Sequence, residues 1–367
     1  MADTRAATGL TAEQWDNKFF EEYVQTSPFK SVMGTTENSI IQMHEVFNKG
    51  KGDALTIALV NRLTGSAVTG TNVLEGNEQD LASRSFRFNV DKRRTAVRIA
   101  EMEEYRSAID LRDAAKSTLM TWSQEDVRDR IIAQLGSVNG VLYASASEAQ
   151  KDAWLVDNAD RVLFGAAVSN NSSNDHSASL ANIDNTADKL TPEALSLMKR
   201  LATATRTGTH AGKPKITPIR IEGQNRRYFK VYAGPRTFRD LKTNATITQA
   251  QREVNLEMEN NRLFQGGDLV WDGMIIHEVD DIAPITGVGA GGIDVEPVYL
   301  CGAQAMVYGL ARRYATKTKT FDYGDKYGVA IECIDGIFKT RFGTGAGDTD
   351  DTVDHGVVTG YFAAVSD

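Results

Sequence analysis

The chain has 367 residues, 41% hydrophobic and 25% charged, with 49 acidic against 41 basic residues and a net charge of −8. That length buries a large core without staples, and the acidic balance opposes tight wrapping of nucleic acid. The opening MADTRAATGL lacks the apolar core of a secretory signal, and no window approaches the ~20 apolar residues of a membrane span, so the chain reads as made in a cytoplasm with no membrane partner.

Residues 1–50 read as an arm. Within TAEQWDNKFFEEYVQTSPF, Trp15, Phe19, Phe20 and Tyr23 form an apolar stripe, Thr11 is the expected cap, and Pro28 lies beyond the end. DALTIALVNRL (53–63) alternates Leu55, Ile57 and Leu59 as a strand does. SRSFRFNVDKRRTAVRI (83–99) alternates Phe86, Phe88 and Val90, then changes phase to Val97 and Ile99, which predicts a bulge near Lys92–Arg94. Between the two strands lies LTGSAVTGTNVLEGNEQDL (63–81), rich in Gly, Thr and Asn. A lone two-stranded ribbon is marginal in water, and a connection of about twenty structureless residues requires a job. The expectation is a ribbon that projects and lies on another copy of the chain.

SAIDLRDAAKSTLM and SQEDVRDRIIAQLG place Leu111, Ala115, Leu119 and Trp122, then Val127, Ile131 and Leu135, on a stripe. The stripe shifts near Ser123, so one bent helix or two in series is expected, ending at Gly136. NNSSNDHSAS (170–179) is a loop by composition. Thr191-Pro192 opens a helix through LTPEALSLMKRLATATR. KITPIRIE and RYFKVYA are strands, GPRTFRDLKTN leads into a short helix, and TQAQREVNLEMENNRLF is helical and polar. DLVWDGMIIHEV and VEPVYLCG are strands around the glycine-rich ITGVGAGGID. AQAMVYGLARRYA is expected to be a helix, and GVAIECIDGIFKTRF a strand pair or one strand broken at Gly336. Cys301 and Cys333 read as small buried hydrophobes, with a disulfide as the second reading. The class is mixed α+β, without the regular alternation of a doubly wound sheet.

Catalytic chemistry is not visible. None of the five histidines (His44, His176, His210, His277 and His355) has metal-ligand spacing to another His or Cys. His176 and His210 read as solvated loop residues, and His277 as a partly buried strand residue. GVGAGG (287–292) lacks the helix start and the Lys-Ser/Thr of a phosphate loop, so a turning loop is expected. DTDDTVDH (348–355) lacks the Gly and Glu of a calcium loop and reads as a solvated acidic turn. No Gly-x-Ser-x-Gly elbow occurs. No catalytic, cofactor-binding or metal residue is therefore assigned. The one charge constellation is Arg84, Arg87, Lys92, Arg93, Arg94 and Arg98, opposed within 84–98 only by Asp91. A solvated strand face is the plainest reading, and a nucleic-acid patch lacks interleaved stacking aromatics. The third reading is an interface with acidic groups of another copy. Its candidate residues are Arg84, Arg87, Arg93 and Arg94 with Glu75, Glu78 and Asp80 of the ribbon tip, and Trp15 and Phe19 of the arm.

The order of arm, long hairpin, long helix, mixed domain and final strands is carried by several stretches. They are LEGNEQDL (74–81), AGPRTFRDL (233–241), LFQGGDLVWDGMIIHEV (263–279), YLCGAQAM (299–306) and FDYGDKYGVAIECIDGIFKTRF (321–342). Together they resemble the major capsid proteins of tailed bacteriophages with the Hong Kong 97-type fold, and more closely the podovirus-like family typified by the coliphage N-four coat protein. The resemblance implies an N-terminal arm (1–50) and an extended β-hairpin loop (51–100). It implies a peripheral domain of spine helix and long strands (101–136 and 316–342), a mixed α/β axial domain (137–315) and a C-terminal segment (343–367). The implied function is non-enzymatic self-assembly, as homo-hexamers and homo-pentamers, into an icosahedral head around double-stranded DNA held by non-specific proximity. The implied place is the virion, after assembly in a bacterial cytoplasm. Portal, scaffolding and decoration proteins are the further partners; with no long helical leader on this chain, the scaffold would be separate. Some shells of this fold are cross-linked through a lysine of the extended loop, but residues 63–91 contain no Lys. The alternative is the shell of an encapsulating compartment or another structural virion component.

Overall fold

The computed structural model describes residues 29–45, 54–60, 68–70, 75, 83–107, 111–204, 215–221, 226–247, 249, 269–343 and 351–365. Strands β1 (Met33–Gly34) and β2 (Ile41–Glu45) precede the ribbon strands β3 (Ala54–Val60) and β4 (Ser83–Asn89). After Val90 comes β5 (Asp91–Ala100), then helices α1 (Glu101–Arg106) and α2 (Leu111–Leu135). The middle of the chain holds α3 (Glu148–Asn158), β6 (Val162–Phe164), α4 (His176–Ala181) and α5 (Pro192–Thr203), followed by β7 (Ile219–Ile221), β8 (Arg226–Ala233) and α6 (Pro235–Thr243). The later strands among the described residues are β9 (Leu269–Trp271), β10 (Met274–Glu278), β11 (Val295–Cys301), β12 (Met306–Phe321), β13 (Lys326–Lys339), β14 (Arg341–Phe342), β15 (Val353–Asp354) and β16 (Val357–Ala363).

Two sheets organise these elements. One has the order β1-β2-β12-β13-β5, and the other β6-β16-β11-β8-β10-β9, with β7 also on β8. The 16 residues of β12 reach ~50 Å at ~3.3 Å per residue. Helix α2 lies on β13 and β5. It buries Ala115, Leu119, Ser123, Val127, Ile131 and Leu135, a strict i, i+4 row that forms one apolar stripe. Helix starts follow local chemistry. Thr191 accepts a hydrogen bond from the Ala194 N–H with Pro192 at the first position, and Ser147 and Gln150 form a capping box on α3. The β9–β10 turn places Asp272 and Gly273 at positive φ, which a two-residue hairpin demands.

Five expectations change. First, α2 is unbroken: Ser123 is buried inside the stripe, and its hydroxyl donates to the Met120 carbonyl at 2.7 Å. Second, AQAMVYGLARRYA is strand, not helix. Met306, Leu310 and Tyr314 are buried at i, i+4, i+8, a helical spacing. The same spacing fits a strand, since four residues are two repeats of its alternation, and with Val307 buried on the other face the start of β12 shows no polar alternation that would tell strand from helix. Third, the phase change of 83–99 falls at Val90, where β4 leaves the ribbon and β5 joins the five-stranded sheet.

Fourth, the ribbon strands find their apolar cover within their own chain. Phe86 and Phe88 are 1% and 3% exposed and cluster with Val307, Phe342, Phe338, Leu55 and Ile57. The seat is a notch of two cross-strand partners, Gly309 on β12 and Gly336 on β13. A Cβ at Gly309 would lie 2.6 Å from the Phe88 ring, and one at Gly336 would lie 2.6 Å from the Asn89 carbonyl oxygen. Glycine at both positions admits the ribbon root; β13 runs straight through Gly336.

Fifth, the described part of the acidic stretch, from residue 351, is tied into the interior. Asp354 is 2% exposed and pairs with buried Lys339 at 2.7 Å. It also accepts from Trp154 Nε1 at 3.1 Å, and the Arg161 guanidinium donates to its carbonyl. β16, buried along its whole length, then runs between β6 and β11. The glycine-rich loop at 287–292 is a turn, with Gly287, Gly291 and Gly292 at positive φ. Cys301 and Cys333 are both free and buried.

Gly336→Ala is expected to destabilise the fold by about 2 kcal/mol, because the new methyl meets backbone that cannot yield cheaply. A denaturant melt measures this; an unchanged midpoint would remove the notch from the account. A second expectation concerns acid. Burial, then the Arg161 charge, pull the His355 pKa down to about 4. Between pH 6.5 and 4 the unfolded chain takes up a proton the folded chain refuses, so this contribution is complete above pH 6.5 and lost as pH falls through that window. The loss is up to about 3 kcal/mol. Urea midpoints across pH should slope less steeply in His355→Gln than in the wild type; parallel slopes would contradict the assignment.

Candidate assembly surface

Strand alternation divides β5 into two faces. Arg93, Val97 and Ile99 turn toward α2, and Lys92, Arg94 and Arg98 turn away. On the α2 side, a network of alternating charges joins helix to sheet. Arg93 Nη1 reaches Asp126 at 3.3 Å, and Arg130 pairs with Asp126 at 2.9 Å and with Asp335 at 2.7 Å. Burial works against the Arg130 charge, but the hydrogen bond to Asp335 and the two carboxylate charges outweigh it and raise its pKa. The Asp335 carboxylate is fully shielded from solvent. Removing it would leave a buried arginine uncompensated, the costly way to break such a pair.

The opposite face is basic. Glu332 on β13 is its anchor. It takes Lys317 at 2.5 Å, Arg312 at 2.8 Å and Lys92 at 3.0 Å. Hydrogen bonds from Lys317 and then Lys92 hold its carboxyl down to about 2. One carboxylate thus gathers three cations from β5 and β12, leaving a positive surplus on an acidic protein. The signal was present in the sequence as MVYGLARRYATKTKTF (306–321), which contains four cations and no acid.

The candidates named from sequence fall into separate groups. Arg84 donates to the Gly343 carbonyl, next to the Phe86–Phe342 contact, and so ties the ribbon to its own body. Arg93 belongs to the α2 network. Arg87 and Arg94 are exposed; Arg94 stands opposite Glu332 in the β5–β13 register, but neither arginine forms an ion pair among the described residues. Arg98 lies over the Phe321 ring at 6.0 Å. Glu75 is exposed near the ribbon tip; Glu78, Asp80, Trp15 and Phe19 lie outside the described residues.

The far end of the β12–β13 hairpin supplies a second feature that sequence reasoning missed. Asp322 and Tyr323 both have positive φ, at 54° and 52°, a backbone state that costs non-glycine residues roughly 1 kcal/mol each. The turn holds Tyr323 fully in solvent. Phe321, and Met102 and Tyr105 of the adjoining α1, are exposed nearby. Aromatic and Met side chains displayed in this way suit a protein interface.

Comparison with known proteins agrees with this geometry. Residues 4–366 match the family model described as phage capsid protein. The chain is 27% identical to the major capsid protein of Pseudomonas phage KPP25, over 97% of this chain and 96% of that one. Among solved structures, the capsid asymmetric unit of cyanophage Pam1 is 34% identical, covers 100% of both chains and superposes with a TM-score of 0.79. The capsid of Ralstonia phage GP4, at 24% identity and TM-score 0.72 over 93% of this chain and 92% of that one, shares the fold. The chain belongs to the phage capsid protein family, as a major capsid protein that forms the capsid shell and is structural rather than catalytic.

Proposed function

We propose that this capsid protein assembles as hexamers and pentamers of the Hong Kong 97-type fold into an icosahedral head around double-stranded DNA. In this reading, residues 51–100 are the extended loop. The surfaces 101–136 and 316–342 form the peripheral domain, and 137–315 with the strand at Val357–Ala363 form the axial domain. The arm of residues 1–50, with Trp15 and Phe19, lies along a neighbour.

The observation that carries the reading is an opposition of charge. The ribbon tip, residues 63–82, contains Glu75, Glu78 and Asp80 and no Lys or Arg. The sheet face beyond the ribbon root carries Lys92, Arg312 and Lys317 paired with Glu332, and Arg94 opposite Glu332 in the strand register. The ribbon root is fixed on its own body by the glycine notch, so the tip is free to lay its acids on the basic face of the next copy. A head-to-tail contact of this kind closes into rings or extends as a lattice. Each contact is weak and salt-sensitive, and many copies add through effective concentration.

Arg94→Glu is expected to slow particle formation about tenfold at low salt while the monomer melt stays within ~0.5 kcal/mol of wild type. Adding Glu78→Lys to that variant should restore part of the rate. Light scattering with parallel thermal melts reads both, and equal loss of assembly and of folding would overturn the charge reading. Particles should also run as a monomer band on denaturing gels, because the extended loop has no lysine between residues 63 and 91; a covalent ladder would contradict this.

A further inference from the structure

A second concentration of positive charge lies outside the five-stranded sheet and takes no part in the proposed shell contact. Residues 199–227 hold eight Lys and Arg and one acid, Glu222, in a chain whose net charge is −8. The described part of this run comprises the end of α5, the segment 215–218, β7 and the first residues of β8. β10 pairs with β8 from Phe229 onward and β11 with Lys230–Tyr232, whereas β7 pairs with Arg226–Tyr228. The β7–β8 hairpin therefore runs past both of those neighbours at this end of the sheet.

The register of the hairpin sets Arg220 directly opposite Arg227. Opposed residues of an antiparallel pair share a face with Cβ atoms about 5 Å apart, and like charges placed so are destabilising. Phe229 and Val231, on the same face of β8 as Arg227, cluster with Leu195, Met198 and Ala202 of α5. Helix α5 thus ends on the face that the two arginines share. The Ile216 N–H donates to the Ala202 carbonyl at 3.2 Å, which brings Lys215 to that end, where Arg200 lies in the last turn. Lys199 is taken by Asp272 at 2.7 Å. Arg200, Lys215, Arg220 and Arg227 are exposed, and none forms an ion pair among the described residues. The helix dipole accounts for Arg200. No described contact offsets the repulsion between Arg220 and Arg227.

We infer that this surface contacts the phosphate backbone of double-stranded DNA, with Arg220 and Arg227 at its centre and Lys215 and Arg200 beside them. The inference rests on the proposed DNA-filled head and assigns the part of the subunit that meets the duplex. A guanidinium presents a planar fork that fits phosphate oxygens, so a phosphate between the two arginines replaces their repulsion with attraction. The neighbouring residues select the partner. Among the described residues, none of the exposed large hydrophobics lies on this surface. A protein interface centres on aromatic and apolar anchors, and single-stranded nucleic acid is held by stacking on aromatic rings. Cations with neither suit a duplex, whose phosphates need charge alone.

The test is binding of a short random-sequence DNA duplex to the unassembled full chain, read by fluorescence anisotropy over a range of salt, with thermal melting and light scattering alongside. Wild type is expected to bind at low salt and to weaken as salt rises. Arg220→Gln with Arg227→Gln should bind about tenfold more weakly and flatten the slope of log affinity against log salt by about 2, and Lys215→Gln alone should flatten it by about 1. The double variant should melt no lower than wild type, because the change removes a repulsion. Lys116→Gln with Lys189→Gln removes equal charge from cations already paired with Asp113 and Asp240, and should leave the slope unchanged. Absence of duplex binding by wild type, or equal loss in the two double variants, would overturn the surface. So would loss of particle formation with duplex binding intact, which would make the patch a contact between copies. Light scattering reads the shell proposal separately: particles built from a chain that ignores DNA refute this surface alone, and a chain that binds DNA without forming particles refutes the shell alone.

Discussion

Two glycines facing each other across the longest strand pair determine how the ribbon leaves the body. Gly309 and Gly336 leave room for Phe88 and the Asn89 backbone, where any side chain would collide. The polypeptide can then pass from a two-stranded ribbon into the edge of a five-stranded sheet across the single residue Val90. A ribbon without that seat would have to find its apolar cover elsewhere. With the seat, Phe86 and Phe88 are satisfied at home, and the part beyond them can serve a partner.

The same seat sorts the charges. It fixes which face of β5 turns toward α2 and which turns away. Inward cations meet Asp126 and Asp335 and hold the long helix to the sheet. Outward cations gather at Glu332 and stay positive in excess. In the proposed assembly, opposite signs on ribbon tip and sheet face would give an attraction that is weak per copy and strong in a lattice.

Much of this architecture is legible in the sequence, for identifiable reasons. Phe86 and Phe88 alternate, Ala115 to Leu135 repeat every four residues, and Thr191-Pro192 announces a helix; each is a local signal read by local rules. The failures are non-local. Residues 303–315 imitate a helix because the start of β12 is buried on both faces, and an i, i+4, i+8 set fits strand and helix alike. His176 looks solvated among Asn, Ser and Asp, yet the rings that bury it come from positions 143, 154, 164 and 361. Asp354 looks like part of an acidic tail until Lys339 and Trp154 arrive from elsewhere in the chain. Glu332 stands alone among hydrophobic residues, and its three cations lie on other stretches of the chain.

The most direct test of the account is an electron cryo-microscopy map of the assembled particle, resolved well enough to place side chains. It should show Phe86 and Phe88 over Gly309 and Gly336 of their own subunit, with Glu75, Glu78 and Asp80 of that ribbon beside Arg94 of the adjacent one. A tip folded back on its own subunit, with Arg94 open to solvent in every copy, would contradict it.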